Sequence, residues 1–278
     1  NKSENQPDSI SIIADTSIYL EGGLYSIYQT GRNELGISAP TINAVSDNFG
    51  LYLAGANNVS FYGDDVRIAG MMGDGMRGLD NDYGAGNEVK ISAAKSLSVH
   101  GGTYGLYSSI SDDGRDKYTF FSPNITLTAE QNDGIFLQNS DLTMSGSETE
   151  LAKSIIINGA HSGLHAFRNA KAELNAEKIT ITGGDGGVAA VGANSDGGSV
   201  KLNAAQVAVK GGRWSVYTTD SGTVTVGKSG ALVRLSGNVQ SGTQDDDGGT
   251  AVLNLDAAGS FLKGQSYDVD WDSRTRDN

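Results

Sequence analysis

The residues best suited to contact a ligand are five rings, each closing a short triplet. Gly23-Leu24-Tyr25, Gly50-Leu51-Tyr52, Gly105-Leu106-Tyr107, Gly134-Ile135-Phe136 and Gly163-Leu164-His165 share the order glycine, aliphatic, ring. In extended chain, alternation sends Leu24, Leu51, Leu106, Ile135 and Leu164 inward and Tyr25, Tyr52, Tyr107, Phe136 and His165 outward. A row of such rings offers wide apolar area with a polar tip, which suits a sugar chain or a partner protein. The same row would serve equally to stabilise stacked strands, or would lie beneath folded loops. A slip of one residue would turn the rings into the core.

A second set is acidic. Asp80, Asp82, Asp112, Asp113 and Asp116 follow two successive glycine-aliphatic motifs, so they would converge on one corner if the units stack. Carboxylates from adjacent turns would hold Ca²⁺ or work as an acid–base pair, with Arg115 the basic residue among them. Aspartate is also the ordinary turn residue, and these loops are rich in Asp, Gly, Asn and Ser. His100, His161 and His165 lack a matching carboxylate pattern, so zinc is not expected. The chain has no Gly-x-Ser-x-Gly elbow to present a serine nucleophile. Asp245-Asp246-Asp247 reads as a solvated loop.

Composition narrows the chemistry further. The 278 residues include 39 Gly, 3 Pro and no Cys, and carry a net charge of −13. Scarce proline excludes collagen-like chains, and the absence of cysteine removes disulfides, thiol nucleophiles and thiolate metal sites. The acidic balance argues against nucleic acid or anionic lipid as a general partner. No apolar run of about 18 residues exists, so no membrane-spanning helix is expected.

The elements that must position the rings come from a repeat. The glycine-aliphatic motif recurs at Gly23, Gly50, Gly78, Gly105, Gly134, Gly163 and Gly187, and Ser215-Val216-Tyr217 continues it; Gly78-Leu79-Asp80 interrupts the row of rings. Two apolar pairs with strand alternation follow in each unit. The first series runs Leu35/Ile37, Val59/Phe61, Val89/Ile91, Tyr118/Phe120, Leu142/Met144, Ala172/Leu174, Val200/Leu202 and Val224/Val226. The second runs Val66/Ile68, Leu97/Val99, Ile125/Leu127, Ile155/Ile157, Ile179/Ile181, Val207/Val209 and Val233/Leu235. Glycine corners such as His100-Gly101-Gly102 and Thr182-Gly183-Gly184 fit sharp turns with positive φ. Three strands cannot close a core alone, but stacked units can, each strand pairing in parallel with its counterpart one turn away. The expected architecture is all-β: a three-sided parallel β-helix of nine or ten coils, about 45 Å long. A β-sandwich is the alternative fold.

Residues 1–278 then form a single domain. Ile10/Ile12 and Ile18/Leu20 begin it, and Leu253/Leu255 with Phe261-Leu262 end it after a Gly/Asp loop from Gly237 to Gly249. Residues 268–278 are highly charged and are expected to fray or cap. Asn1-Lys2-Ser3 carries no leader pattern, so the chain is expected to be a processed product or part of a longer solenoid.

These features resemble the passenger region of Gram-negative autotransporters (type V secretion): short strands, coils ending in Gly-Gly, and a glycine-rich, acidic, cysteine-free chain. The tail from Leu253-Asn254-Leu255 to Ser260-Phe261-Leu262-Lys263-Gly264 is similar to the coil pattern near the C-terminal part of such passengers. The likeness is one of pattern, and the coils here run longer than is usual there. The resemblance implies a right-handed β-helix at the bacterial surface that adheres to a host glycan or matrix protein, or to another copy of itself. No catalysis is expected, and no cofactor beyond calcium at the acidic set. The competing function is a polysaccharide lyase or glycoside hydrolase built on the same coil.

Overall fold

The computed structural model describes residues 8–79, 86–110, 114–192, 196–242, 250–253 and 261–263. The alternating apolar pairs form strands that stack in about nine parallel turns, and no helix occurs among the described residues. No helix among the described residues is long and apolar enough to cross a membrane.

The first three turns are β1 (Asp8–Ile13), β2 (Ser17–Gly22) and β3 (Tyr25–Gly31); β4 (Asn33–Ser38), β5 (Thr41–Ser46) and β6 (Phe49–Gly55); then β7 (Asn58–Gly70) and β8 (Met76–Leu79). The next three are β9 (Glu88–Gly101) and β10 (Leu106–Ser109); β11 (Asp116–Phe121), β12 (Asn124–Ala129) and β13 (Ile135–Gln138); and β14 (Ser140–Ser145), β15 (Ala152–Gly159) and β16 (Ser162–Phe167). The remainder are β17 (Lys171–Gly183) and β18 (Gly186–Val191); β19 (Ser199–Thr218); β20 (Thr223–Val226) and β21 (Leu232–Ser241); and β22 (Thr250–Leu253) and β23 (Phe261–Lys263). Strands β7, β9, β17 and β19 pass a corner unbroken, so one strand serves two faces, or three in β19.

Three faces result, and register shows why each residue type recurs. On the first, Leu35, Val59, Val89, Tyr118 and Leu142 stack in one inner column and Ile37, Phe61, Ile91, Phe120 and Met144 in the next. On the second, Ile42, Val66, Leu97, Ile125, Ile155 and Ile179 stack likewise. All of these are buried, Val89 and Ile179 with no exposed surface at all, and so is Leu51 on the third face. Outside the first face, Glu88, Lys117, Asp141 and Lys171 are neighbours in successive turns, so opposite charges lie opposite one another.

The third face shifts two of the expected triplets. Tyr28 pairs with Tyr52 and Tyr25 with Phe49, so the first unit is Ser26-Ile27-Tyr28; Leu24 is 54% exposed and not inward. Likewise Met76 and Arg77 pair with Leu106 and Tyr107, so the third unit is Gly75-Met76-Arg77 and not Gly78-Leu79-Asp80. The glycines of the true motif share one steric cause. A Cβ on Gly105 would meet the Gly134 carbonyl oxygen at 2.4 Å, and one on Gly134 the Gly163 oxygen at 2.7 Å. Each turn's backbone presses on the next at this column, and only hydrogen fits.

Two smaller expectations also change. Gly101 and Gly183 do not have positive φ; they are glycine because a Cβ would sit 1.7 Å from the carbonyl oxygen three residues later. The segment after Gly237 is not all loop: Asn238 and Val239 pair with Trp214 and Val216 and extend the third face. Leu255 and residues 268–278 lie outside the described residues.

Candidate functional site

The third face carries a stripe of rings two columns wide. In register, the outer column runs Tyr28, Tyr52, Arg77, Tyr107, Phe136, His165, Ala189, Tyr217 and Gln240. Three residues earlier in each strand or its leading corner lie Tyr25, Phe49, Asp74, Tyr104 and Asp133, and three turns beyond the last of these comes Trp214. The rings are half-buried, except Tyr28 in the first turn, which is 56% exposed. From Tyr28 to His165 the stripe crosses five turn spacings, or about 24 Å.

Its rings pack on one another. Tyr25 and Tyr28 lie 4.7 Å apart between centroids, Tyr28 and Tyr52 5.6 Å, and Phe49 and Tyr52 5.3 Å. Tyr107 stacks on Phe136 at 5.2 Å, and Phe136 meets His165 edge-on at 5.1 Å. Between these blocks stands Arg77, its guanidinium 5.0 Å from the Phe49 ring centre and 4.8 Å from that of Tyr107. A cation between two ring faces replaces the missing ring and continues the ladder. Asp74, fully buried, accepts a hydrogen bond from Arg77 Nε at 2.5 Å and one from the Tyr104 amide at 3.2 Å. Burial pushes the Asp74 carboxyl up, against the pull of Arg77. Burial likewise raises the Tyr52 and Tyr104 hydroxyls, which stay protonated donors near neutrality.

At the other end a carboxylate is shared by two imidazoles. Asp133, 4% exposed, takes the Ser162 amide at 2.8 Å and His161 Nδ1 at 3.1 Å on one oxygen, with His165 Nδ1 3.5 Å from the other. Burial alone would raise this carboxyl, but His165, then His161 and the Ser162 amide, outweigh it and hold it below its ordinary value. Beyond His165 the stripe dips at Ala189 and resumes at Trp214 and Tyr217, stacked at 4.9 Å, with Arg213 over the indole at 4.4 Å.

Of the expected ligand-contacting residues, Tyr52, Tyr107, Phe136 and His165 are in one column and Tyr25 in the column beside it. Sequence reasoning missed Tyr28, Phe49, Arg77 and Tyr104. The signal for the three rings was a second ring three residues from the first, as in Tyr25/Tyr28, Phe49/Tyr52 and Tyr104/Tyr107; Arg77 carried no such signal.

The acidic set does not assemble as expected. Asp80, Asp82, Asp112 and Asp113 lie outside the described residues. Asp116 is not a solvated loop residue: it is fully buried at an inner corner and unavailable as a surface calcium ligand. Its Oδ1 accepts the Asn87 amide at 2.6 Å and Asn87 Nδ2 at 3.0 Å, and its Oδ2 accepts Ser108 Oγ and Tyr118 OH, both at 2.8 Å. One turn back, Asn57 repeats the pattern, donating its amide and Nδ2 to Asn87 Oδ1 at 3.2 and 3.0 Å. Arg115 is committed elsewhere, its Nε donating to Asp141 at 2.6 Å and Nη2 to Asp141 and the Asn169 carbonyl. Among the described residues no group of three or more His, Asp or Glu could hold a metal ion. His100 lies on another face, bonded to Thr128 Oγ1 at 2.9 Å.

Fold and stripe together define a parallel β-solenoid with one ring-lined long face. No protein-family model, curated protein or solved structure matches the chain.

Proposed function

We propose that this protein is a binding rod, an adhesin-type module displayed outside a bacterial cell in the manner of an autotransporter passenger. The observation that supports the reading is the stripe: half-exposed rings and one arginine, on a single face, through six consecutive turns. A surface this long and shallow gains strength from many modest contacts, and display of many copies multiplies it. An extended ligand such as a glycan strand or a matrix-protein segment matches its shape, and catalysis is not required of it.

The test is a glycan and matrix-protein array probed with the full chain and with a Tyr52→Ala/Tyr107→Ala double variant. Loss of at least about tenfold in retention on the same ligands is expected, the usual consequence of removing central aromatic anchors. Undiminished binding by the folded variant would remove the stripe from the function. Steady release of unsaturated or reducing sugar from an arrayed polysaccharide would replace the binding reading with an enzymatic one.

A further inference from the structure

Arg77 differs from every other rung of the stripe in ways that bear on what the stripe holds. It is the only cation in the outer column from Tyr28 to Phe136, and its side chain is 25% exposed. Its orientation is fixed from three directions: Phe49 and Tyr107 on either side, and the buried Asp74 on Nε. Among the described residues its two Nη atoms have no hydrogen-bond acceptor. A pinned guanidinium with an open Nη pair is a fork suited to a carboxylate, which it would bind with two parallel hydrogen bonds. The exposed edges of the Tyr52 and Tyr107 rings, one turn to each side, would pack against the apolar faces of neighbouring sugar rings.

Resting on the binding-rod reading, we propose that the stripe's ligand is an acidic polysaccharide, with a uronate carboxylate seated on Arg77. The net charge of −13 opposes a polyanion at long range. Locally the opposition is smaller. Among the described residues, the acids of this face, Asp74 and Asp133, are buried and already hydrogen-bonded, as is Asp116 behind Gly78, whereas the charges of the first face alternate in sign from turn to turn. The contact is therefore short-range, and screening the repulsion with salt leaves it standing.

The experiment measures binding of the full chain to alginate, carboxyl-reduced alginate and dextran sulfate by biolayer interferometry. Alginate is expected to bind, and the carboxyl-reduced polymer at least about tenfold more weakly, the worth of a charge-assisted fork. Arg77→Lys keeps a cation for Asp74 and so keeps the fold, but loses the fork; it should show a similar loss. Affinity for alginate should hold or rise up to about 0.1 M salt, where the Debye length is about 10 Å. Equal affinity for the reduced polymer, or for dextran sulfate, would overturn the uronate assignment. Binding to none of the three, alongside a matrix protein that Tyr52→Ala/Tyr107→Ala releases, would overturn the polysaccharide and leave the binding rod intact. Loss of Tyr52- and Tyr107-dependent binding to every ligand would end both.

Discussion

The inner ladder of Asn57, Asn87 and Asp116 and the outer ladder of Tyr52, Arg77 and Tyr107 are built on the same three turns. Both stack side chains one turn apart, yet they use stacking for different ends. In the inner ladder the contacts among its own turns use the side-chain oxygens of Asn87 and Asp116 almost completely, and water has no access. In the outer ladder the rings cover one another only in part, and the guanidinium keeps an open edge. A closed ladder contributes to stability alone; an open one has capacity left for a ligand. Breaking the first should therefore cost folding, and breaking the second mainly binding.

The largest effect is expected from Asp116→Ala. It strands three donors in the interior, the Asn87 amide and Nδ2 and Tyr118 OH, while Ser108 Oγ keeps Ser140 Oγ at 2.7 Å; the cost is about 1–3 kcal/mol for each buried group left unsatisfied. A loss of at least about 3 kcal/mol in urea unfolding follows. A loss below about 1 kcal/mol would mean that water reaches the corner.

Gly78→Ala approaches the same ladder from the opposite side. Its Cβ would sit 2.1 Å from both Asp116 Oδ2 and the Tyr118 hydroxyl, so both must move. Overpacking of this kind costs about 1–3 kcal/mol, and the unfolding midpoint should fall without any change in ligand preference. Tyr107→Ala probes the open ladder. It removes ring contacts with Tyr104 and Phe136 and one face of the Arg77 sandwich, each worth about 0.5–1.5 kcal/mol. A folded variant with a modestly lower midpoint and sharply weaker binding is the expected result; the reverse proportion would make the stripe a structural ladder only.

The two aliphatic faces were legible because both of their inner columns are Leu, Ile, Val, Phe or Met for most turns, and alternation alone assigns them. The ring face was only half legible. Its second inner column runs Gln29, Leu53, Gly78, Ser108 and Leu137, which breaks the apolar alternation. Glycine also marks two different constraints there. At Gly50, Gly75 and Gly105 it clears the next turn's backbone, while at Gly78 it clears the Asp116 carboxyl. Gly78-Leu79 therefore mimics the motif three residues out of place and conceals Arg77. At the first turn, Ser26 fills the glycine position and bonds the Gly50 carbonyl at 2.9 Å, which hides Tyr28. Asp116 read as a loop acid because no local pattern reports that two other segments, through Asn87 and Ser108, aim donors at it alongside Tyr118 of its own strand.

The smallest effect, and the one that separates the ladders by sign, is the response to pH. Asp116 is raised above the ordinary 3.8 because burial outweighs its donors, while Asp133 beside the stripe is lowered by its two histidines and the Ser162 amide despite burial. A raised carboxyl holds more protons folded than unfolded, so its contribution is complete below 3.8 and fades as pH rises through its folded value. A lowered one does the opposite: its contribution is complete above 3.8 and is lost as pH falls through its folded value. The stability margin of the unmodified chain over Asp116→Asn should therefore shrink as pH rises from the acid side. Its margin over Asp133→Asn should shrink as pH falls below about 4. Urea midpoints for the three proteins across that range give both slopes; two slopes of the same sign would mean that the closed and open corners share one electrostatic environment.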